Sequence, residues 1–129
     1  MLETGFYAGF LALIYIFLTY RVVRLRMATK TSLGDGGHSG LITAIRAHAN
    51  FAEYVPLGLI LMAILNIQGT NGGIIHIIGL MLVTGRMIHA YSISYNLLKL
   101  RPVGMALTLS AMALSAVLLI IGYVSIATT

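Results

Sequence analysis

The chain has 129 residues, of which 59% are hydrophobic and 9% are charged, and its mean hydropathy is +0.97. A soluble domain usually carries about 25% charged residues, so an ordinary soluble fold is excluded. The net charge of +5 does not indicate a nucleic-acid partner, because the basic residues form no continuous patch.

Four apolar segments follow one another along the chain, each long enough for the roughly 20 residues that a membrane-spanning helix requires. They cover about residues 4–25, 40–68, 74–98 and 102–127. Short polar segments separate them. We therefore predict an all-α membrane protein with a single domain over residues 1–129.

The first predicted loop contains the run Gly34-Asp35-Gly36-Gly37. Glycine adopts positive φ at no steric cost, so this run predicts a tight turn. A phosphate-binding loop is the alternative, but the lysine and the preceding strand of a P-loop are missing. We expect a turn here.

Basic residues are distributed unevenly over the predicted loops. The second loop and the C-terminus have none, and the first and third loops have six in or beside them: Arg21, Arg24, Arg26, Lys30, Lys99 and Arg101. By the positive-inside rule, the first and third loops are expected in the cytoplasm and both termini on the outer side.

No cysteine is present, so any thiol chemistry has to be supplied by a ligand. His38 and His76 have no His or carboxylate partner at metal-ligand spacing, and we predict no metal site. Several tyrosines near the predicted membrane boundaries are expected to act as interfacial anchors: Tyr7, Tyr15, Tyr20 and Tyr123.

Three ionic residues, Arg46, Glu53 and Arg86, fall inside apolar segments, and each costs about 2.5–3.5 kcal/mol at the centre of an inserted helix. On the second helix, Arg46, Asn50, Glu53 and Tyr54 share an arc of about 100°. Glu53 and Arg86 are expected at similar depths, about 18–20 Å from the cytoplasmic end of their helices.

Two interpretations of these buried charges remain open. One is a structural salt bridge between Glu53 and Arg86, with Arg46 extending to the interface. The other is a small polar ligand held between helices, because Arg86, His89 and Asn96 add a polar face on the third helix. Several guanidiniums and one carboxylate suit a ligand that has more than one anionic group and one cationic group.

One stretch of the second helix is typical of a known family. The run Arg46-Ala47-His48-Ala49-Asn50-Phe51-Ala52-Glu53-Tyr54-Val55-Pro56 follows Val22-Val23-Arg24-Leu25-Arg26 and the glycine turn, and precedes Gly85-Arg86-Met87-Ile88-His89. This pattern resembles the MAPEG family, the membrane-associated proteins of eicosanoid and glutathione metabolism, and within it a bacterial inner-membrane branch. The resemblance extends over most of the chain.

The resemblance implies a left-handed four-helix bundle that assembles as a homotrimer in the bacterial inner membrane. It implies glutathione as co-substrate, and transferase or peroxidase activity on lipophilic electrophiles or lipid hydroperoxides that arrive through the membrane lipid. Some members bind ligands without catalysis, so the family alone does not establish turnover.

The resemblance also implies roles for individual residues. Arg101 matches the arginine that stabilises the thiolate in catalytic members, and Arg26 matches one that reaches the ligand of a neighbouring subunit. The remaining expected glutathione-binding residues lie on the second and third helices: Arg46, Asn50, Glu53, Tyr54, Arg86 and His89.

Two positions depart from the leukotriene-type members, which carry tyrosines three and seven residues after the third-helix arginine. This chain has His89 and Ile93 there. His89 retains a hydrogen-bonding group and Ile93 does not, so eicosanoid substrates are disfavoured.

The competing hypothesis is a non-enzymatic membrane binding or scaffold protein in which the polar stripe is structural. A transporter is disfavoured because broken helices and internal repeats are missing.

Overall fold

The computed structural model describes residues 1–97 and 99–128, except for the side chain of Ile126. It contains four helices in chain order: α1 (Leu2–Thr29), α2 (Ser39–Ile67), α3 (Gly72–Ser94) and α4 (Arg101–Ala127). All four are long and apolar enough to cross a membrane. The predicted four-helix all-α architecture is confirmed.

The C-terminal ends of α1 and α3 differ most from the predicted boundaries, and the other ends differ by at most two residues. α1 continues to Thr29, and Lys30 then ends it in the left-handed conformation with φ of 53°. α3 ends at Ser94, and Asn96 has φ of 55° in the following loop. Asn96 was predicted to lie on the polar face of the third helix. That prediction is wrong, because the helix ends before Asn96. Leu98, the predicted end of that helix, lies outside the described residues.

The first loop contains the predicted turn. Gly34, Gly36 and Gly37 all have positive φ, between 58° and 75°. The carboxylate of Asp35 accepts a hydrogen bond from the Gly37 amide at 2.9 Å, which closes the turn. The turn prediction is thus confirmed, and its cause is the conformational freedom of glycine at these positions.

α2 and α3 each contact the other three helices and form the centre of the bundle. α3 and α4 approach most closely at Gly85 and Gly104. A methyl group at Gly104 would lie 2.6 Å from the backbone nitrogen of His89 and 2.8 Å from the carbonyl oxygen of Gly85. The backbones of the two helices come nearly into contact here, so only glycine fits at this crossing.

The end of the bundle that holds the N-terminus is closed by a polar network. Asn66 on α2 donates to the Glu3 carboxylate at 3.0 Å and to Thr4 Oγ1 at 3.1 Å, and its carbonyl oxygen accepts from the N-terminal ammonium. Tyr7 is buried, and its hydroxyl contacts His76 Nδ1 at 3.0 Å. Tyr7 is therefore a packed core residue in this chain, and the prediction of an interfacial anchor is wrong for it.

Candidate functional site

Arg86 lies at the centre of the bundle with only 1% of its surface exposed. Its Nε donates to Thr108 Oγ1 on α4 at 2.8 Å, and its Nη1 donates to Asn50 Oδ1 on α2 at 2.8 Å. The guanidinium carbon also lies 5.1 Å from the centre of the Tyr54 ring. One buried cation thus links three helices through hydrogen bonds and a cation–π contact.

An ion pair between Glu53 and Arg86, one of the two interpretations of the buried charges, is absent from the described residues. Helical geometry gives the reason: Asn50 and Tyr54 are four residues apart and face α3 together, whereas Glu53 is rotated about 60° from Asn50 in the opposite direction. Glu53 is consequently exposed at the side of α2. The convergence of α2 and α3 was predicted correctly, but its partners are an amide and an aromatic ring.

Two small adjoining cavities lie beside this network, between the first half of α2, the end of α3 and the start of α4. They have volumes of about 160 and 130 Å³, and Arg46, Ile93 and Arg101 line both. Ile42, Thr43, Ser92 and Asn96 complete the larger one, and Ala49, Asn50 and Glu53 complete the smaller one. We call the pair the polar cavity. It brings together four of the eight predicted site residues: Arg46, Asn50, Glu53 and Arg101.

The charged groups of the polar cavity are not neutralised within the chain. The ion pair that the structure contains is between the Met1 ammonium and Glu3, and across the described residues Arg46, Glu53 and Arg101 form none. Two cations and one anion therefore border the same space. All three side chains are exposed on the chain, and two of them, Arg46 and Glu53, lie within an apolar helix, where an unpaired charge marks a functional site more often than a structural one.

The amide of Asn50 has a defined orientation. Arginine has N–H donors and no acceptor, so the atom that faces Arg86 must be the carbonyl oxygen of Asn50. The NH₂ group is then left for the other side, where Asn50 lines the smaller cavity. Arg86 thereby acts on the polar cavity indirectly, by setting which end of the Asn50 amide a ligand meets.

Four predicted site residues lie outside the polar cavity. Tyr54 and Arg86 belong to the buried network behind it, and His89 is buried at 3% exposure beside the α3–α4 crossing. Arg26 lies at the end of α1, where its Nη1 donates to the carbonyl oxygens of Thr31, Ser32 and Gly34 at 3.3, 3.3 and 2.9 Å. Within one chain these contacts hold the first loop and not a ligand.

Sequence reasoning missed Thr108, as it missed Ile42, Thr43 and Ser92 in the lining of the larger cavity. Thr108 is fully buried and connects α4 to Arg86. A signal was present: Thr108 lies seven residues after Arg101, and therefore on the same face of a helix that has no other charge. Gly104 lies between them on that face and permits the close approach that the hydrogen bond requires.

Comparison with known proteins identifies the family of the chain. The sequence model of the MAPEG family matches residues 4–121. The chain belongs to the MAPEG family. The matched range includes every residue of the polar cavity and of the Arg86 network.

This MAPEG protein is also similar to the inner membrane protein YecN of Escherichia coli strain K12. The two are 38% identical over 111 residues, which cover 86% of this chain and 85% of YecN. YecN of Escherichia coli O6:H1 strain CFT073 gives the same identity and coverage. Family membership and four apolar helices together make the chain a multi-pass membrane protein.

Proposed function

We propose that this MAPEG protein binds glutathione in the polar cavity and acts as a glutathione transferase or peroxidase on lipophilic electrophiles or lipid hydroperoxides. The observation that supports this proposal is the convergence of Arg46, Asn50, Glu53 and Arg101 on one small space. The family includes glutathione transferases, and the name of YecN specifies no ligand.

The chemistry of the cavity fits the functional groups of glutathione, which has two carboxylates, one ammonium and a thiol. Arg46 is suited to a carboxylate, because a guanidinium binds two oxygens at once. The NH₂ group of Asn50 is a second donor for the same oxygens or for a peptide carbonyl. Glu53 supplies the acceptor for the ammonium, and of the three acidic residues in the chain it is the one that lines the cavity.

Arg101 is the candidate catalytic residue. It is the first residue of α4 and lines both parts of the cavity. A guanidinium beside a thiol favours the thiolate, which is the nucleophile. In conjugation with an aryl halide, the sulfur forms a bond to the ring carbon, the halide leaves with the bonding electron pair, and the thiol proton passes to solvent.

The assembly and location belong to the same proposal. The homotrimer is the assembly that the family resemblance implies, and in it a neighbouring subunit would complete the wall of the polar cavity, each part of which is smaller than the roughly 300 Å³ that is common for ligand sites. The inner membrane of a bacterium is the proposed location. The six basic residues of the first and third loops favour a cytoplasmic position for those loops and an outward position for both termini.

The Arg86 network favours a second function, a binding or scaffold protein without turnover. Arg86 already has partners on α2 and α4, so this part of the polar stripe holds helices together without a ligand. The same does not apply to Arg46, Glu53 and Arg101, for which the described residues supply no ion pair. The two functions therefore make different predictions for Arg46, Glu53 and Arg101. Only the glutathione enzyme needs these residues for binding a ligand.

One experiment separates these functions. Glutathione binding and conjugation of 1-chloro-2,4-dinitrobenzene are measured in detergent for the wild type, Arg46→Ala and Arg101→Ala. Arg24→Ala is the matched control, since Arg24 is an exposed arginine that lines neither part of the cavity. We expect Arg46→Ala to lose binding and Arg101→Ala to retain binding but lose conjugation. A folded wild-type protein that binds no glutathione at millimolar concentration would refute the proposal.

A further inference from the structure

An apolar groove lies on the opposite side of α3 from the polar cavity. It has a volume of about 480 Å³ and lies between α1, α3 and the first turn of α4. Phe17 and Leu18 line it from α1, and Met87 and Tyr91 line it from α3. We call it the lateral groove. The proposed glutathione chemistry does not use it.

Arg21 is the one charged residue among those that line the lateral groove. It lies 19 residues after the start of α1 at Leu2, which at 1.5 Å per residue is about 28 Å along the helix. The hydrocarbon core of a bilayer is about 30 Å thick. With the start of α1 placed at one face of the core, Arg21 lies at the headgroup level of the other face, and the apolar part of the groove extends from it into the hydrocarbon.

The guanidinium of Arg21 retains most of its hydrogen-bonding capacity. Its Nη1 donates to Ser94 Oγ, a contact that fixes Arg21 to the end of α3. A guanidinium has five N–H donors, and Ser94 accepts from one of them. Among the described residues no carboxylate lines the groove, so the charge of Arg21 is unopposed there.

The length of the groove matches part of one lipid chain. From Arg21 to Ile14 the groove follows seven residues of α1, about 10 Å along the helix axis. Tyr95 and Met87 on α3 are eight residues apart and enclose a similar length. One leaflet of the hydrocarbon core is about 15 Å deep, so an acyl chain that begins at Arg21 fills the groove before it reaches the bilayer centre.

We propose that the lateral groove binds an anionic phospholipid, with one acyl chain along Phe17, Leu18 and Met87 and the headgroup phosphate on Arg21. The guanidinium of Arg21 at one end of the groove favours an anionic headgroup, and the apolar rest of the groove favours an acyl chain. Arginine binds two oxygens of a phosphate at once. In a zwitterionic headgroup the lipid's own cation competes with arginine for the phosphate, so an anionic headgroup binds better. The groove is a lipid site separate from the polar cavity, since different faces of α3 line the two.

The chain contains no tryptophan, which permits a direct test. A single tryptophan is introduced as Met87→Trp, at an exposed position in the groove. The matched control is Leu109→Trp, which is exposed on α4 at a comparable distance from the basic end and lines none of the cavities described. Each protein is placed in vesicles that contain increasing fractions of brominated phosphatidylglycerol or brominated phosphatidylcholine, and quenching of the tryptophan is measured.

We expect brominated phosphatidylglycerol to quench Met87→Trp at about fivefold lower mole fraction than brominated phosphatidylcholine, the effect of one interfacial basic residue on an anionic lipid. Arg21→Gln should abolish this preference, Arg21→Lys should retain much of it, and Arg24→Gln should leave it unchanged. Equal quenching by both lipids would overturn the proposal. A preference that survives Arg21→Gln would overturn it too, and so would the absence of quenching by either lipid, which would indicate that a second copy of the chain covers the groove.

Discussion

Thr108 tests how the candidate site is held in place. Replacing it by valine deletes the hydroxyl that accepts from Arg86 Nε at 2.8 Å and changes the side-chain volume little. Because Arg86 is 1% exposed, water does not replace the lost acceptor. The charged donor is then left without its partner in the bundle interior.

The expected cost follows from two limits. A hydrogen bond to a charged group contributes about 1.5–3 kcal/mol in soluble proteins. Side-chain hydrogen bonds in membrane proteins average about 0.6 and reach about 1.7 kcal/mol, because the unfolded state in the membrane also finds partners. We therefore expect Thr108→Val to lower the free energy of unfolding by about 1.5 kcal/mol, near the upper end of the membrane range.

Ser115→Ala is the matched control. Ser115 is buried on the same helix, and its hydroxyl donates to the Ala111 carbonyl oxygen at 2.8 Å, as Thr108 also donates to Gly104 at 3.0 Å. The control thus removes the same kind of local bond and leaves Arg86 undisturbed. We expect it to cost about 0.5 kcal/mol.

The assay is unfolding in mixed micelles with increasing sodium dodecyl sulfate, followed by circular dichroism. Thr108→Ser retains the hydroxyl and should recover most of the stability that Thr108→Val loses. Equal costs for Thr108→Val and Ser115→Ala would refute the reasoning, because the bond to Arg86 would then contribute nothing. Glutathione binding of the folded variants gives a second readout, and we expect only Thr108→Val to weaken it, through the displacement of Asn50.

Three further predictions concern the helix crossing, the cavity and the first loop. Gly104→Ala should destabilise the protein by about 1–3 kcal/mol through overpacking, whereas Gly122→Ala, where the nearest atom is 3.6 Å from the new methyl group, should be tolerated in the same unfolding assay. Asn50→Asp should keep the bond from Arg86 but present a carboxylate to the cavity, so we expect a stable protein that no longer binds glutathione in equilibrium dialysis. Arg26→Gln removes three contacts to loop carbonyl oxygens and should speed proteolysis in the first loop, measured by mass spectrometry of the fragments.

The architecture could be predicted because hydropathy alone determines how many helices cross a membrane. Helix ends were less predictable where a single residue decides them. Asn96 takes a left-handed conformation and ends α3 early, although the apolar pattern continues beyond it. A membrane helix and the apolar loop that follows it have the same composition, so the pattern could not locate that end.

The site was predicted in part, for a reason that helical periodicity explains. The spacing of Arg46, Asn50 and Glu53 places them on one stripe of α2, and they do line one cavity with Arg101. Periodicity does not state which neighbouring helix a stripe faces. Glu53 was therefore one possible partner of Arg86, whereas a rotation of about 60° gives Arg86 the side chain of Asn50 as its partner.

Residues that depend on contacts between helices distant in sequence were the least predictable. In the sequence, Thr108 is one polar residue in an apolar helix. It contacts Arg86 because Gly85 and Gly104 allow α3 and α4 to come nearly into contact. The family resemblance implies that Arg26 reaches the ligand of a neighbouring subunit, and within one chain its guanidinium donates to carbonyl oxygens of the loop that follows α1. The role of Thr108 comes from packing that a single sequence does not specify.

The central claim is that the polar cavity is a site for a ligand with two anionic groups and one cationic group. Glu53→Gln tests it most directly, with Glu3→Gln as the matched control, since Glu3 is a second glutamate on a membrane helix that belongs to the network around Asn66. Glutathione affinity is measured by isothermal titration calorimetry in detergent for both variants. The account predicts that Glu53→Gln weakens binding about tenfold or more, the effect of losing a charge-assisted hydrogen bond, and that Glu3→Gln leaves binding unchanged. Equal affinity for the wild type and Glu53→Gln would contradict it.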